Sequence, residues 1–329
     1  MKFDTLIIGG GLAGLTCGIR LQKNGVKCAI VSTGQSALHF SSGSFDLLNE
    51  LADGTKVDNP VAAADKISAN HPYAKLGDNF AYYVREAKQQ FLDCGIEVNG
   101  DAEHNHLRIT PMGTLKPTWL TFSDFTPLCS ANDIAGKKIL VVNMAGFLDF
   151  NTKFVADSFE KYGAECRISS INLPELERLR ISPTEMRSTN IARVLENEKT
   201  LEALILELTG KISGFDIVAL PAVFGLSSAA SVKKLKESLD IPVWLIPTMP
   251  PSVPGIRAQQ QLRRSFEELG GVYMLGDTVV KADFSGNKVQ AVYSVNHGDI
   301  SFVAENFILA SGSYFSNGLV AQPDSVIEP

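Results

Sequence analysis

The chain has 329 residues, of which 45% are hydrophobic and 20% charged, and a formal net charge of −6. This length accommodates two domains and a large core, and the composition is that of an ordinary globular protein. The acidic balance argues against a nucleic-acid binder, and no apolar run approaches the roughly 18 residues of a spanning helix.

The N-terminus carries no leader pattern and enters a strand directly, over 3–8. The glycines Gly9, Gly11 and Gly14 follow at the G-x-G-x-x-G spacing, and a helix is expected over 12–24. A strand, a tight turn and a helix N-terminus form an anion site, because free N–H groups and the helix dipole favour a phosphate. Gly9, Gly10, Gly11, Leu12, Ala13 and Gly14 are therefore candidate cofactor contacts. Gly18 is expected on the helix face that approaches the sheet.

The second strand, over 27–32, ends at Ser32-Thr33-Gly34. Dinucleotide folds place an acidic residue here to hold the adenosine ribose. No Asp or Glu occurs between Asp4 and Asp46, and no Arg or Lys from Ser32 to Ser44. Ordinary NAD or NADP use is thus disfavoured. A ligand with a phosphate but no adenosine, such as FMN, becomes credible; the alternative is FAD held with a substituted ribose contact, for which the Ser32 hydroxyl is available, and Ser32, Thr33 and Gly34 are candidate cofactor contacts. The loop that follows is rich in small hydroxyl residues. Ser41, Ser42, Gly43 and Ser44 are read as contacts to a flavin ring or ribityl chain, against the plainer reading of a surface loop.

Residues 51–135 are irregular, with a helix over 78–93 and a strand entering a turn at 107–115. From Lys137 onward, strands alternate with helices: strands over 139–142, 165–171, 217–220 and 243–246, and helices over 151–162, 184–196, 200–210 and 229–239. Such alternation predicts a parallel sheet with right-handed crossovers. A proline-rich junction at 247–257 places Ser252 as the cap of a helix running to about 269. Arg257 falls in the first turn of that helix, where a cation opposes the dipole. It is either a solvated arginine or the partner of an anion. A strand over 272–275 and a meander near 278–284, 288–295 and 299–303 follow. A separate buried strand then ends in Ala310-Ser311-Gly312, a small-residue turn of the kind that passes close to a nucleotide.

The cysteines Cys17, Cys28, Cys94, Cys129 and Cys166 form no C-x-x-C pair. They are expected as free thiols in a reducing cytosol. The pair His104-x-His106 lies in a polar stretch, and no metal site is expected.

The two glycine turns together resemble those of the two-dinucleotide-binding flavoproteins, the glutathione-reductase-like and fumarate-reductase-like group. Within it, several strings resemble the B subunits of the anaerobic glycerol-3-phosphate dehydrogenases. They are Phe3-Asp4-Thr5, the 34–44 loop, Thr110-Pro111-Met112-Gly113-Thr114-Leu115, Asn190-Ile191-Ala192-Arg193, the 247–257 segment and Leu309-Ala310-Ser311-Gly312-Ser313. The resemblance implies an α/β fold: a Rossmann-like FAD/NAD(P)-binding domain, with parallel sheet and β-meander, over 1–50 and 255–329, and a large inserted α/β domain over 51–254. It further implies oxidation of sn-glycerol 3-phosphate to dihydroxyacetone phosphate, with electrons passed to a quinone and fumarate or nitrate as terminal acceptor. FMN would sit in this polypeptide and FAD in a separate catalytic subunit. An iron–sulfur subunit would anchor the complex to the cytoplasmic face of the inner membrane. Family members carry a further Gly-rich return segment, expected to be missing after Pro329. His39 and Arg257 are the candidates if this polypeptide touches substrate. Two other classes stay open on the residues alone: a structural partner with a vestigial nucleotide fold, and a self-sufficient FAD oxidoreductase.

Overall fold

The computed structural model describes residues 1–182 and 184–327. The chain divides into two compact units, Met1–His39 with Ala258–Pro329, and Phe40–Arg257.

The first unit is built on a six-stranded sheet. Its order is Val272–Leu275, Cys28–Ser32, Lys2–Ile8, Phe302–Leu309, Lys288–Ser294 and Val279–Ser285. The first four strands are parallel, and the last two join as antiparallel hairpin partners. Leu6, Ala29, Val31, Val292 and Phe302 form its core. Each large side chain among them contributes on the order of 2 kcal/mol through removal from water. Helix Leu12–Lys23 opens at the glycine turn. Gly18 approaches both the sheet and a neighbouring helix: a Cβ there would lie 2.8 Å from the Phe266 ring and 3.2 Å from Ile30.

One expectation is corrected in this unit. The stretch read as two strands, 299–303 and a buried run after Asn306, is one strand, Phe302–Leu309. It pairs with Lys2–Ile8 along its whole length, from Lys2 opposite Val303 to Ile8 opposite Leu309. No glycine or proline interrupts that pairing. Its C-terminal end is not buried, since Leu309 is 59% exposed.

The second unit holds a four-stranded parallel sheet in the order Val243–Ile246, Ile217–Pro221, Lys138–Met144 and Glu165–Ile171. Helices Thr152–Lys161, Ser188–Leu195, Glu198–Thr209 and Ala230–Glu237 lie close to their expected spans, and Pro174–Arg180 is an additional short helix. Asn151 and Asn197 cap two of them through side-chain oxygens that accept from Phe154 and Thr200 N–H groups. The irregular 51–135 region contributes helix Asn79–Asp93, a small antiparallel sheet of Ser44–Phe45, Leu120–Phe122 and Val98–Asn99, and the hairpin of His106–Ile109 with Leu115–Thr118. Phe45 packs on Phe91 and Phe122 at centroid distances of 4.9 and 5.3 Å.

The first segment of the six-stranded unit is shorter than the expected 1–50. Ser44 and Phe45 pair with Thr121 and Leu120, and the aromatic contacts of Phe45 hold that stretch within the second unit. Ser252 caps helix Val253–Glu268, its hydroxyl accepting from Gly255 N–H at 3.2 Å. No helix of the described residues is long and apolar enough to cross a membrane.

Candidate functional site

Parallel pairing of Lys2–Ile8 with Phe302–Leu309 brings their C-terminal turns together. Ala310 N–H donates to the Ile8 carbonyl at 2.8 Å, so the Ala310-Ser311-Gly312 turn lies directly against Gly9. A Cβ on Gly9 would sit 2.1 Å from the Ala310 carbonyl oxygen, and Gly9 has φ +117°, a region side chains rarely adopt. A Cβ on Gly14 would sit 1.9 Å from the Gly9 carbonyl oxygen, and one on Gly10 would overlap Tyr273 Oη and Ser32. Packing within the chain therefore explains three of these glycines.

Gly11 is different. Its φ of −83° suits any residue, and a Cβ there would meet only Ser36 Cβ, at 3.6 Å. Gly11 is the N-cap of helix Leu12–Lys23, yet no side chain caps that helix and no acidic residue occupies its first turn. Room for a Cβ at Gly11 and a helix N-terminus without a side-chain cap make a cradle that fits a phosphate. Leu12 and Ala13 belong to that first turn, and Ala13 is exposed.

Two residues that sequence reasoning missed brace the turn. Gln259 Nε2 and Tyr273 Oη donate to the Gly10 carbonyl at 3.4 and 3.2 Å. Gln259 Oε1 accepts from Ser36 Oγ at 2.9 Å, joining the glycine turn to the loop after the second strand. Neither residue belongs to a motif; each is an ordinary member of an expected helix or strand.

The other expected contacts fall as follows. Ser32 is buried, and its hydroxyl donates to the Gly34 carbonyl at 3.2 Å. Thr33 is exposed, and nothing lies within 4 Å of a Cβ built on Gly34. Gly312 has φ +103°, and a Cβ there would strike Ser316 Oγ. His39 ends the first segment of this unit, half-buried. Burial pushes its imidazole below the ordinary histidine value, opposed by a hydrogen bond with Gln259. Its hydrogen-bond neighbour is thus the same amide that braces the Gly10 carbonyl.

Ser41, Ser42, Gly43 and Ser44 belong to the second unit. Ser41 Oγ accepts from Gly43 N–H at 3.0 Å, and Gly43 (φ +81°) packs so closely on the Phe125 ring that a Cβ would lie 2.0 Å from it. Ser44 begins a strand. Arg257, read as a possible anion partner, is instead buried against Asp124. Arg257 Nη2 donates to both carboxylate oxygens at 2.7 and 2.5 Å, and Nη1 donates to the Gly225 carbonyl. Both side chains are under 10% exposed, so the charge that would attract an anion is already neutralised.

Beside Ser32 lies a second polar knot. Asp277 N–H donates to the Ser32 carbonyl at 3.2 Å. Its carboxylate accepts from the N–H groups of Thr278 and Asn296 at 2.9 and 3.0 Å, and pairs with His297 Nδ1 at 2.9 Å. Burial pushes this carboxyl up, but hydrogen bonds from Ser294, Asn296, His297 and Thr278 outweigh it and leave it below the usual range. A depressed folded value means stability that is present above the unfolded value and lost as pH falls through the folded one. Unfolding free energy is thus expected to drop as pH falls below about 4, the ordinary carboxyl value. Asp277→Asn should flatten that slope in urea titrations between neutral and acid pH; an unchanged slope would show that other carboxyls set it.

Among the described residues, no group of three or more His, Cys, Asp or Glu is placed to hold a metal ion.

Residues 4–329 match the FAD binding domain family. Two relatives carry the name of the anaerobic glycerol-3-phosphate dehydrogenase B subunits. The chain is 44% identical over 334 residues to the one from Yersinia enterocolitica serotype O:8 / biotype 1B, covering 100% of this chain and 79% of that protein. It is 43% identical over 333 residues to the one from Pectobacterium atrosepticum, with the same coverage of each chain. Among solved structures, a 3-ketosteroid delta1-dehydrogenase from Sterolibacterium denitrificans is similar with a TM-score of 0.39 and 12% identity, over 95% of this chain and 48% of that one. With identity of the level seen in the two relatives sustained over its full length, the chain belongs to the family of anaerobic glycerol-3-phosphate dehydrogenase B subunits, flavoproteins with an FAD binding domain.

Proposed function

We propose that this chain is the electron-relaying flavin subunit of a respiratory glycerol-3-phosphate dehydrogenase, with FMN held in the Met1–His39 and 258–329 unit. The observation that carries this reading is the open, uncapped cradle at Gly11, set against the Ala310-Ser311-Gly312 turn. The N–H groups at the start of helix Leu12–Lys23 would hold the phosphate. Gln259 and Tyr273 donate to the Gly10 carbonyl and so keep that oxygen occupied, away from the phosphate. A bound flavin supplies reversible transfer of electrons; the protein supplies its position and surroundings.

FMN is preferred to FAD for a physical reason. At the end of the second strand the Ser32 hydroxyl is buried and already donating, and the adjacent Asp277 carboxylate is saturated by donors from the chain. No carboxylate is left there for an adenosine ribose. The match to an FAD binding domain favours the second reading, FAD with a backbone contact in place of the acid. The reading is completed by substrate oxidation on a catalytic FAD subunit, an iron–sulfur subunit on the cytoplasmic face of the inner membrane, and delivery of electrons to quinone.

The test is a visible spectrum of the purified chain, with the flavin released by denaturation and separated as FMN or FAD. Flavin bands with FMN released are expected. Gly11→Val should remove the flavin while leaving the unfolding free energy within about 1 kcal/mol of the parent, since the site has room in the chain itself. A colourless protein that takes up no added flavin would leave only the structural-partner reading. Full flavin retention by Gly11→Val would move the phosphate elsewhere.

A further inference from the structure

An edge strand leaves a row of backbone N–H and carbonyl groups without partners, and natural proteins usually blunt it. The edges of the six-stranded sheet are treated in this way. Strand Val279–Ser285 carries two register shifts against its neighbour, and Lys281 pairs with Asp283 along it at 3.2 Å. Val272–Leu275 spans only four residues. In the second unit, Val243–Ile246 is as short and wholly buried. Glu165–Ile171 is the exception. It lies at the end of the four-stranded sheet and pairs with Lys138–Met144 over seven consecutive residues without a register shift.

The ladder fixes which groups face outward. Glu165 N–H donates to the Lys137 carbonyl at 2.9 Å, and Ala145 N–H donates to the Ile171 carbonyl at 2.8 Å. The odd-numbered residues therefore bond to the neighbouring strand, and the N–H and C=O groups of Cys166, Ile168 and Ser170 point away from the sheet. Among the described residues no other segment pairs with this edge. Glu165, Arg167 and Ser170 are exposed, and so is the apolar Ile168, at 47%. Among the described residues neither Glu165 nor Arg167 has an ion-pair partner.

An unbroken edge with an acid and a base two residues apart is complementary to itself. We propose that Glu165–Ile171 is an interface at which a second copy of this chain adds antiparallel, joining two four-stranded sheets into one, with the two-fold axis beside Cys166. Only outward-facing residues can exchange hydrogen bonds, so few registers are open. With Cys166 opposite its own copy, Glu165 of each chain lies opposite Arg167 of the other, in a non-hydrogen-bonded pair whose Cα atoms are about 4.5 Å apart. Two opposite-charge cross-strand pairs result, and each favours the register. Ile168 then lies opposite Ala164, which is half-buried. Moving the register so that Cys166 faces Ile168 sets Arg167 against its own copy, a like-charge contact. With Ile168 opposite itself, Arg167 meets Ser169 and Glu165 meets Ile171, and both charges lose their partners. Charge complementarity thus selects a second copy and one register.

An edge-to-edge contact of this length is small, under about 1,200 Å² in total, so a weak, concentration-dependent dimer is expected. Sedimentation of the full chain from about 1 to 200 µM should show monomer passing into dimer. Diamide should convert that dimer into one linked by a disulfide at Cys166, because hydrogen-bonded antiparallel residues have Cα atoms about 5.5 Å apart, within the span of a disulfide. Burial pushes the Cys166 thiol up to about 12, so the oxidation is slow and is followed over hours. Cys166→Ser should abolish the link, and Cys129→Ser, at the exposed cysteine, should leave it. Glu165→Arg should weaken the dimer by about tenfold or more, since two attractive pairs become repulsive, and adding Arg167→Glu should restore it. Both positions are on the surface, so both variants are expected to fold, with urea unfolding as the control. A chain that stays monomeric at the highest concentration overturns the interface. A dimer indifferent to Glu165→Arg, not restored by the double variant, or not cross-linked through Cys166 overturns the register and with it the proposal.

Discussion

Asp124→Ala is expected to destabilise the protein by about 3–5 kcal/mol, the typical result of stranding one member of a buried ion pair. Arg257 is 5% exposed, and its guanidinium would keep only the Gly225 carbonyl. It cannot neutralise itself by losing a proton. Denaturant unfolding measures the effect directly. Asp124→Leu combined with Arg257→Met should recover most of the loss, because a buried pair often contributes little more than well-packed apolar side chains. A loss under about 1 kcal/mol for Asp124→Ala would mean that Arg257 finds water or another acceptor. The same experiment decides what Arg257 is for. If it were an anion-binding residue, Arg257→Met would impair ligand saturation and leave stability unchanged; the buried pair predicts the reverse.

The second large effect concerns Gly14. Gly14→Ala is expected to cost about 1–3 kcal/mol or more, because its Cβ would lie 1.9 Å from the Gly9 carbonyl, and backbone cannot yield as a flexible side chain does. Flavin should be lost together with stability, since the turn and the helix start move as one. Gly11→Val is expected to lose flavin alone. Thermal or urea unfolding beside the visible spectrum separates the two outcomes. A Gly14→Ala protein of parental stability would show that the turn relaxes, and the contrast between the glycines would then carry no information about the ligand.

The two glycine turns were legible because their signals are local. A glycine run between an apolar strand and an amphipathic helix has few other solutions, and Ala310-Ser311-Gly312 closes a strand in the same way. Their adjacency was not legible: it follows only from the parallel pairing of Lys2–Ile8 with Phe302–Leu309. The alternating block from Lys138 to Ile246 was equally readable, since each buried strand and each helix declares itself by its own period. The absence of an acid after Val31 is a property of the string itself.

What the string does not contain is the pairing of distant side chains. Arg257 has the same sequence context whether it meets a ligand or Asp124, which lies 133 residues away. Gln259 and Tyr273 look like any helix and strand residues until the fold turns them onto the Gly10 carbonyl. The extent of strand Phe302–Leu309 depended on its partner: only pairing with Lys2–Ile8 made two expected pieces one. The sequence by itself determined most of the elements and the two glycine turns, because backbone conformation and hydrophobic period act over a few residues. The tertiary structure alone decided which charges are spent on the protein and which are left for a partner, because that depends on burial and on partners remote in the chain.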